Sequence, residues 1–136
     1  MNINDINIGD LLPSREHQAS NVSLFLYNAA VWNPHRIHYD EAYTTEVEHH
    51  PGIVIDGPLQ GDWLSQVALN WLGEQGSLDR FEYTNRRAAY LGETLTSGGR
   101  VVSVDRAKQE ISLELYIKNG DGDVITPGHA TVHLHT

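Results

Sequence analysis

Residues Trp32 to Asp40 (WNPHRIHYD) bring two histidines, an arginine, a carboxamide and a carboxylate into nine positions between two apolar segments. Titratable groups that a loop delivers to the rim of a core suit general acid–base work, because imidazole exchanges protons near neutral pH. Further along, Asp56-Gly57-Pro58-Leu59 reads as the opening of a helix. Proline fits the first helical turn, and glycine lets a ligand approach the backbone. The first-turn amides have no internal partner and sit at the positive end of the helix dipole. They are suited to hold a carbonyl oxygen that gains negative charge.

These groups need elements to position them. Val22, Phe25, Leu26 and Ala29 recur at helical offsets and predict a helix over 21–32, capped by Ser20 or Asn21. Pro34 ends it by forcing Asn33 into extended geometry. His38 to Ala42 reads as a turn or short helix, and Ile53-Val54-Ile55 as a short strand. Leu59, Trp63, Leu64, Val67, Ala68, Trp71 and Leu72 form one broad apolar stripe that Gly73 terminates, which predicts a buried central helix. From Leu78 onward the pattern turns to strands. Phe81 and Tyr83 alternate with polar neighbours. Gly98-Gly99, within the run 94–104, marks a bulge or a close backbone approach. Ile111, Leu113, Leu115 and Ile117 alternate strictly, Asn119-Gly120-Asp121-Gly122 makes a hairpin turn, and Ala130, Val132 and Leu134 face inward. The sum is an α+β fold, with at least four antiparallel strands curved around one long helix.

Length and composition bound the rest. A chain of 136 residues with 40% hydrophobic and 20% charged residues suits one globular domain over 1–136. Nine basic against 18 acidic residues give a net charge of −9, which argues against nucleic-acid and anionic-membrane partners. The apolar runs are too short to cross a bilayer, and Met1-Asn2-Ile3-Asn4-Asp5 lacks the pattern of a secretory signal. Without cysteine there is no disulfide framework, thiolate nucleophile or zinc-thiolate site. A cytoplasmic location is the expectation.

The strings Phe25 to Asn28, Asn33 to Asp40 (NPHRIHYD) and Pro51 to Leu59 (PGIVIDGPL) resemble the hot-dog-fold MaoC-like dehydratases and (R)-specific enoyl hydratases. Within them the chain is most similar to the 3-hydroxyacyl-thioester dehydratase and mesaconyl-CoA hydratase branch. Ile8 to Pro13 and Tyr90 to Leu95 match further segments, so the resemblance spans nearly the whole chain. It implies a single hot-dog domain that adds water to a trans-2-enoyl thioester, or removes it in reverse, with no cofactor. His38 matches the catalytic histidine, and the backbone N–H of Gly57 would bind the thioester oxygen. Such domains dimerise by joining two sheets edge to edge, so a homodimer or homo-oligomer is implied, with pairing to a second hot-dog subunit as the alternative. The carrier would be coenzyme A or an acyl carrier protein.

One position departs from the pattern. The (R)-hydratases carry an aspartate five residues before the histidine, where this chain has Asn33. A carboxamide orients water or polarises a hydroxyl but cannot serve as a base. That leaves His38 as the acid–base group, with Asp40, His35 or Asp56 assisting. It also keeps open a half-site subunit, or a thioesterase on the same fold.

Structural readings compete at several positions. Arg36 pairs with Asp40 or Glu41, and Asn33 caps the turn before Pro34. Tyr39 lines the acyl site or packs under the loop, and Arg86 and Arg87 are the first candidates for carrier phosphates. His49-His50 reads as a solvated pair, and His129, His133 and His135 as a polar outer face or an interface, so no metal site is expected.

Overall fold

The helix that starts at Gly57 runs to Leu72 (α3) and forms the axis of the computed structural model, which describes residues 1–135. Leu64, Val67, Ala68 and Leu72 are buried along it, with Trp63 and Trp71 packed at the margins. Gly73 ends it at φ +59°, the left-handed geometry that glycine adopts at no steric penalty. Around this axis curves one antiparallel sheet of β1 (Leu11–His17), β2 (Gly76–Tyr83), β3 (Leu95–Asp105), β4 (Glu110–Lys118) and β5 (Val124–Leu134), in the order β1-β3-β4-β5-β2. Strict alternation puts Ile111, Leu113, Leu115 and Ile117 wholly inside, and Ala130, Val132 and Leu134 face the same core. The helix can lie close to the sheet because Gly61 has no Cβ, which would otherwise collide with the Tyr83 ring. Among the described residues no helix is long and apolar enough to cross a membrane.

Two shorter helices, α1 (Asn21–Ala30) and α2 (Glu41–Glu46), lie in the segment between β1 and α3, with a single tight turn at Arg36–His38. Ser20 caps α1 reciprocally with Ser23, and Asp40 caps α2 through the Tyr43 amide at 3.0 Å.

The expected and observed elements differ at three places, and at Gly98-Gly99 one of the two expected readings holds. The inner face of α1 is not Val22, Phe25 and Leu26, which are 60–67% exposed; Leu24 and Asn28 are the residues buried there. Ile53–Ile55 is not a strand. It holds one isolated bridge, Val54 to Tyr90, made by the Ile55 amide on the Ala89 carbonyl and the Leu91 amide on the Ile53 carbonyl, while the Val54 amide turns away to the Ile37 carbonyl. Gly98 and Gly99 make the close approach, against the Tyr116 ring and the Glu114 carbonyl, while the register shift of β3 falls between Val101 and Ser103. The fifth strand, β1, has no counterpart among the expected elements. It carries Pro13 and breaks register between Leu12 and Arg15, as an edge strand permits.

Candidate active site

His38 ends the tight turn that follows Pro34, and the residue is 7% exposed. The Val54 amide donates to the Ile37 carbonyl at 3.0 Å, which draws residues 53–55 alongside the turn. Nδ1 of His38 then lies 2.7 Å from the Val54 carbonyl oxygen. A carbonyl only accepts, so Nδ1 carries a proton and Nε2 is the nitrogen left for chemistry. Nε2 lies 3.4 Å from Oδ2 of Asp56.

Asp56 stands at the N-cap of α3, where an aspartate ordinarily accepts from the helix amides. Here its side chain makes no such bond and is fully buried. Instead the carboxylate faces three other groups. Asn28 Nδ2 donates to Oδ1 at 3.0 Å, Asn33 Nδ2 donates to Oδ2 at a long 3.4 Å, and the His38 ring completes the set. A buried carboxylate that the helix does not use, ringed by donors and an imidazole, is an arrangement for holding and passing a proton. Gly57 follows directly, and the first bond of α3 runs from the Gln60 amide to the Asp56 carbonyl. The amides of Gly57 and Leu59 precede it and point out of the helix start. The Asn85 side chain covers Gly57 so closely that a Cβ there would strike it.

The other candidates fall into distinct places. Asn33 caps the turn, its Oδ1 accepting from the His35 amide at 3.1 Å, and its Nδ2 reaches Asp56. His35 is exposed, with its ring edge-on to His38 at 5.7 Å. Asp40 is occupied elsewhere. Arg36 donates to it at 2.7 and 3.0 Å, and the guanidinium lies 4.1 Å above the Tyr43 ring. The Tyr43 amide and Arg36 hold the Asp40 carboxyl below the ordinary aspartate value. Tyr39 and Asn33 share a hollow of about 260 Å³ with Phe25, Asn28 and Trp32. His38 and Gly57 do not line that hollow, but Asn28 and Asn33, whose carboxamides bond Asp56, do. Arg86 and Arg87 follow Asn85 on the surface; Arg87 pairs with Asp123 at 3.0 Å, and Arg86 has no ion pair among the described residues.

Asn28 was missed from the sequence. Its signal was a polar residue one turn after Leu24, on the side of α1 that faces the core. Below it, Tyr27 ties α1 to α3 through Asp62 at 3.2 Å; burial and that carboxylate push the phenol up to about 12.

Comparison with known proteins places this geometry. The chain is 44% identical over 45 residues to mesaconyl-C(4)-CoA hydratase of Chloroflexus aurantiacus, which takes in 33% of this chain and 16% of that protein. Over 75 residues it is 40% identical to the mitochondrial hydroxyacyl-thioester dehydratase type 2 of Schizosaccharomyces pombe, covering 54% of this chain and 25% of that one. The chain thus spans about a quarter or less of these curated relatives. Among solved structures, the (R)-hydratase from A. caviae involved in PHA biosynthesis superposes with a TM-score of 0.87 at 16% identity, over 96% of this chain and 98% of that one. The likeness establishes the hot-dog fold. Residues 9–91, which hold the tight turn, the Val54 anchor and the start of α3, match the family model of hydroxyacyl-thioester dehydratase type 2, and the chain belongs to that family.

Proposed function

We propose that the chain is a hydro-lyase that adds water to an enoyl thioester or removes it from a 3-hydroxyacyl thioester. The observation that carries this reading is the meeting of His38 and Asp56 at the amides that open α3. A thioester α-proton is weakly acidic, so the reaction needs a group that moves a proton and a site that holds the enolate oxygen. On this reading the His38–Asp56 pair supplies the first and the Gly57 amide, directly after Asp56, the second.

In hydration the His38–Asp56 pair takes one proton from water as the water oxygen bonds C3. The C2–C3 π electrons move toward the thioester carbonyl, whose oxygen gains charge and is held by the Gly57 N–H. The carbonyl re-forms as the pair returns the proton to C2, and the pair ends as it began. Dehydration is the reverse. The apolar walls of Phe25, Trp32 and Tyr39 suit an acyl chain. Arg86, without an ion pair among the described residues, is better placed than Arg87 to meet the phosphates of coenzyme A or of a carrier protein. The exposed apolar face of α1 suits burial against a second subunit, and we place a second copy of this chain there.

Incubation with crotonyl-CoA and longer enoyl thioesters, read by mass, tests the reading. The expected product has gained one water with the thioester intact. Release of free thiol without water addition points to a thioesterase instead, and an inert chain that becomes active only with a second, different subunit points to a half-site.

A further inference from the structure

Among the described residues, Oδ1 of Asn28 is the one buried side-chain oxygen or nitrogen without a hydrogen-bond partner. The carboxamide cannot turn to satisfy it. Nδ2 donates to the Leu24 carbonyl at 2.8 Å and to Asp56 Oδ1 at 3.0 Å, and both of those atoms only accept. Rotating the amide by half a turn would set three acceptors against one another. Oδ1 is therefore fixed as an acceptor, on a residue only 4% exposed, in the wall of the apolar hollow. A bare buried acceptor is uncommon and destabilising. Leu24, one turn earlier on the same face, shows that an apolar side chain packs there without difficulty.

We infer that Asn28 Oδ1 accepts a hydrogen bond from the hydroxyl group that the reaction adds or removes. The inference rests on the hydro-lyase reading above and assigns this residue a positioning role within it. Water has two protons, and the chemistry uses one. The proton that goes to the His38–Asp56 pair leaves the oxygen as it bonds C3, while the second stays on that oxygen and points at Asn28 Oδ1. In dehydration the same contact holds the 3-hydroxyl proton, so that the lone pair of the hydroxyl faces the proton coming from the pair. Asn28 thus orients the oxygen without exchanging a proton. Because its amide also binds Asp56, base and nucleophile are held by one side chain.

Two unreactive thioethers test this directly, S-(3-hydroxybutyl)-CoA and S-butyl-CoA, which lack the carbonyl that drives the chemistry. The wild-type chain is expected to bind the hydroxylated one roughly three- to tenfold more tightly, the worth of one neutral hydrogen bond. Asn28→Ala should erase that difference and leave the affinity for S-butyl-CoA unchanged. It should also lower kcat for crotonyl-CoA with little change in KM, since the enoyl substrate has no hydroxyl. Equal affinities in the wild type overturn the inference while hydration activity persists. If Asn28→Ala does not fold, a crystal structure of the wild type with S-(3-hydroxybutyl)-CoA decides, and a hydroxyl out of hydrogen-bond reach of Oδ1 overturns the inference. If no enoyl thioester is hydrated and neither thioether binds, the hydro-lyase reading itself fails and takes this one with it.

Discussion

His38 and Asp56 face each other across 3.4 Å, with the far nitrogen of the ring already committed to the Val54 carbonyl at 2.7 Å. The tight turn supplies the imidazole and the helix start supplies the carboxylate. Asn33 Nδ2 donates to that same carboxylate at 3.4 Å. A carboxylate thus reaches the imidazole from a separate segment, the start of α3.

Replacing Asp56 by asparagine should lower the hydration rate by roughly 10²- to 10⁴-fold, the usual worth of a positioned acid–base group. The substitution keeps the volume, so circular dichroism should show the fold retained. Crotonyl-CoA turnover within a few fold of wild type would remove Asp56 from the mechanism.

Asn33→Asp should not improve the enzyme. It sets a second carboxylate beside the first at the long 3.4 Å contact, and like charges at that range favour retention of a proton. Crotonyl-CoA turnover should fall below wild type, and a rate equal to or above it would show that Asn33 is not needed as a donor to Asp56.

Acid should loosen the turn before it harms the core. The Tyr43 amide and Arg36 depress the Asp40 pKa, so the folded state favours the carboxylate more than the unfolded chain does. That stabilisation is complete above the ordinary aspartate value and is lost as pH falls through the lower folded value. Asp40→Asn should remove this part of the acid dependence, seen as a flatter plot of melting temperature against pH below about pH 4.

His17 titrates in a different window. Burial, and then the charge of Arg15, lower its pKa, while the ring stacks on Trp63 at 4.2 Å and bonds Ser97 at 2.8 Å. The unfolded chain therefore binds the proton more readily, and stability rises with pH from the folded value up to about 6.5. His17→Gln should flatten denaturant midpoints across that range, and an unchanged slope would assign it to other groups.

Leu64→Ala should destabilise the fold by about 2–5 kcal/mol, because the side chain is fully buried in the middle of α3 and little can collapse into its space. Urea melts with an unchanged m-value would verify the loss.

The sequence and the structure agree where burial alone decides the pattern. The stripe from Leu59 to Leu72 and the alternation from Ile111 to Ile117 need no knowledge of their surroundings, and both elements stand where the pattern puts them. α1 was legible as a helix but not in its orientation. Hydropathy turns Phe25 and Leu26 inward, whereas the fold buries Asn28, whose polar group is held by an aspartate 28 residues away. β1 was illegible because Pro13, Ser14, Arg15 and Glu16 give an edge strand little apolar pattern to read. In the site, the resemblance singled out His38, Asn33 and Gly57, while Asp56 stood only as one of three assisting candidates, because nothing in its spacing sets it above Asp40 or His35.

The Ala89 carbonyl accepts from the Ile55 amide at 2.8 Å, and the Leu91 amide donates to the Ile53 carbonyl at 2.9 Å. The run from Asn28 to Gly57 holds the proposed site, yet it is clipped in place by main chain from beyond β2. Grafting that run alone onto another scaffold would leave the strip beneath the imidazole unfastened. A portable version has to bring its clasp along.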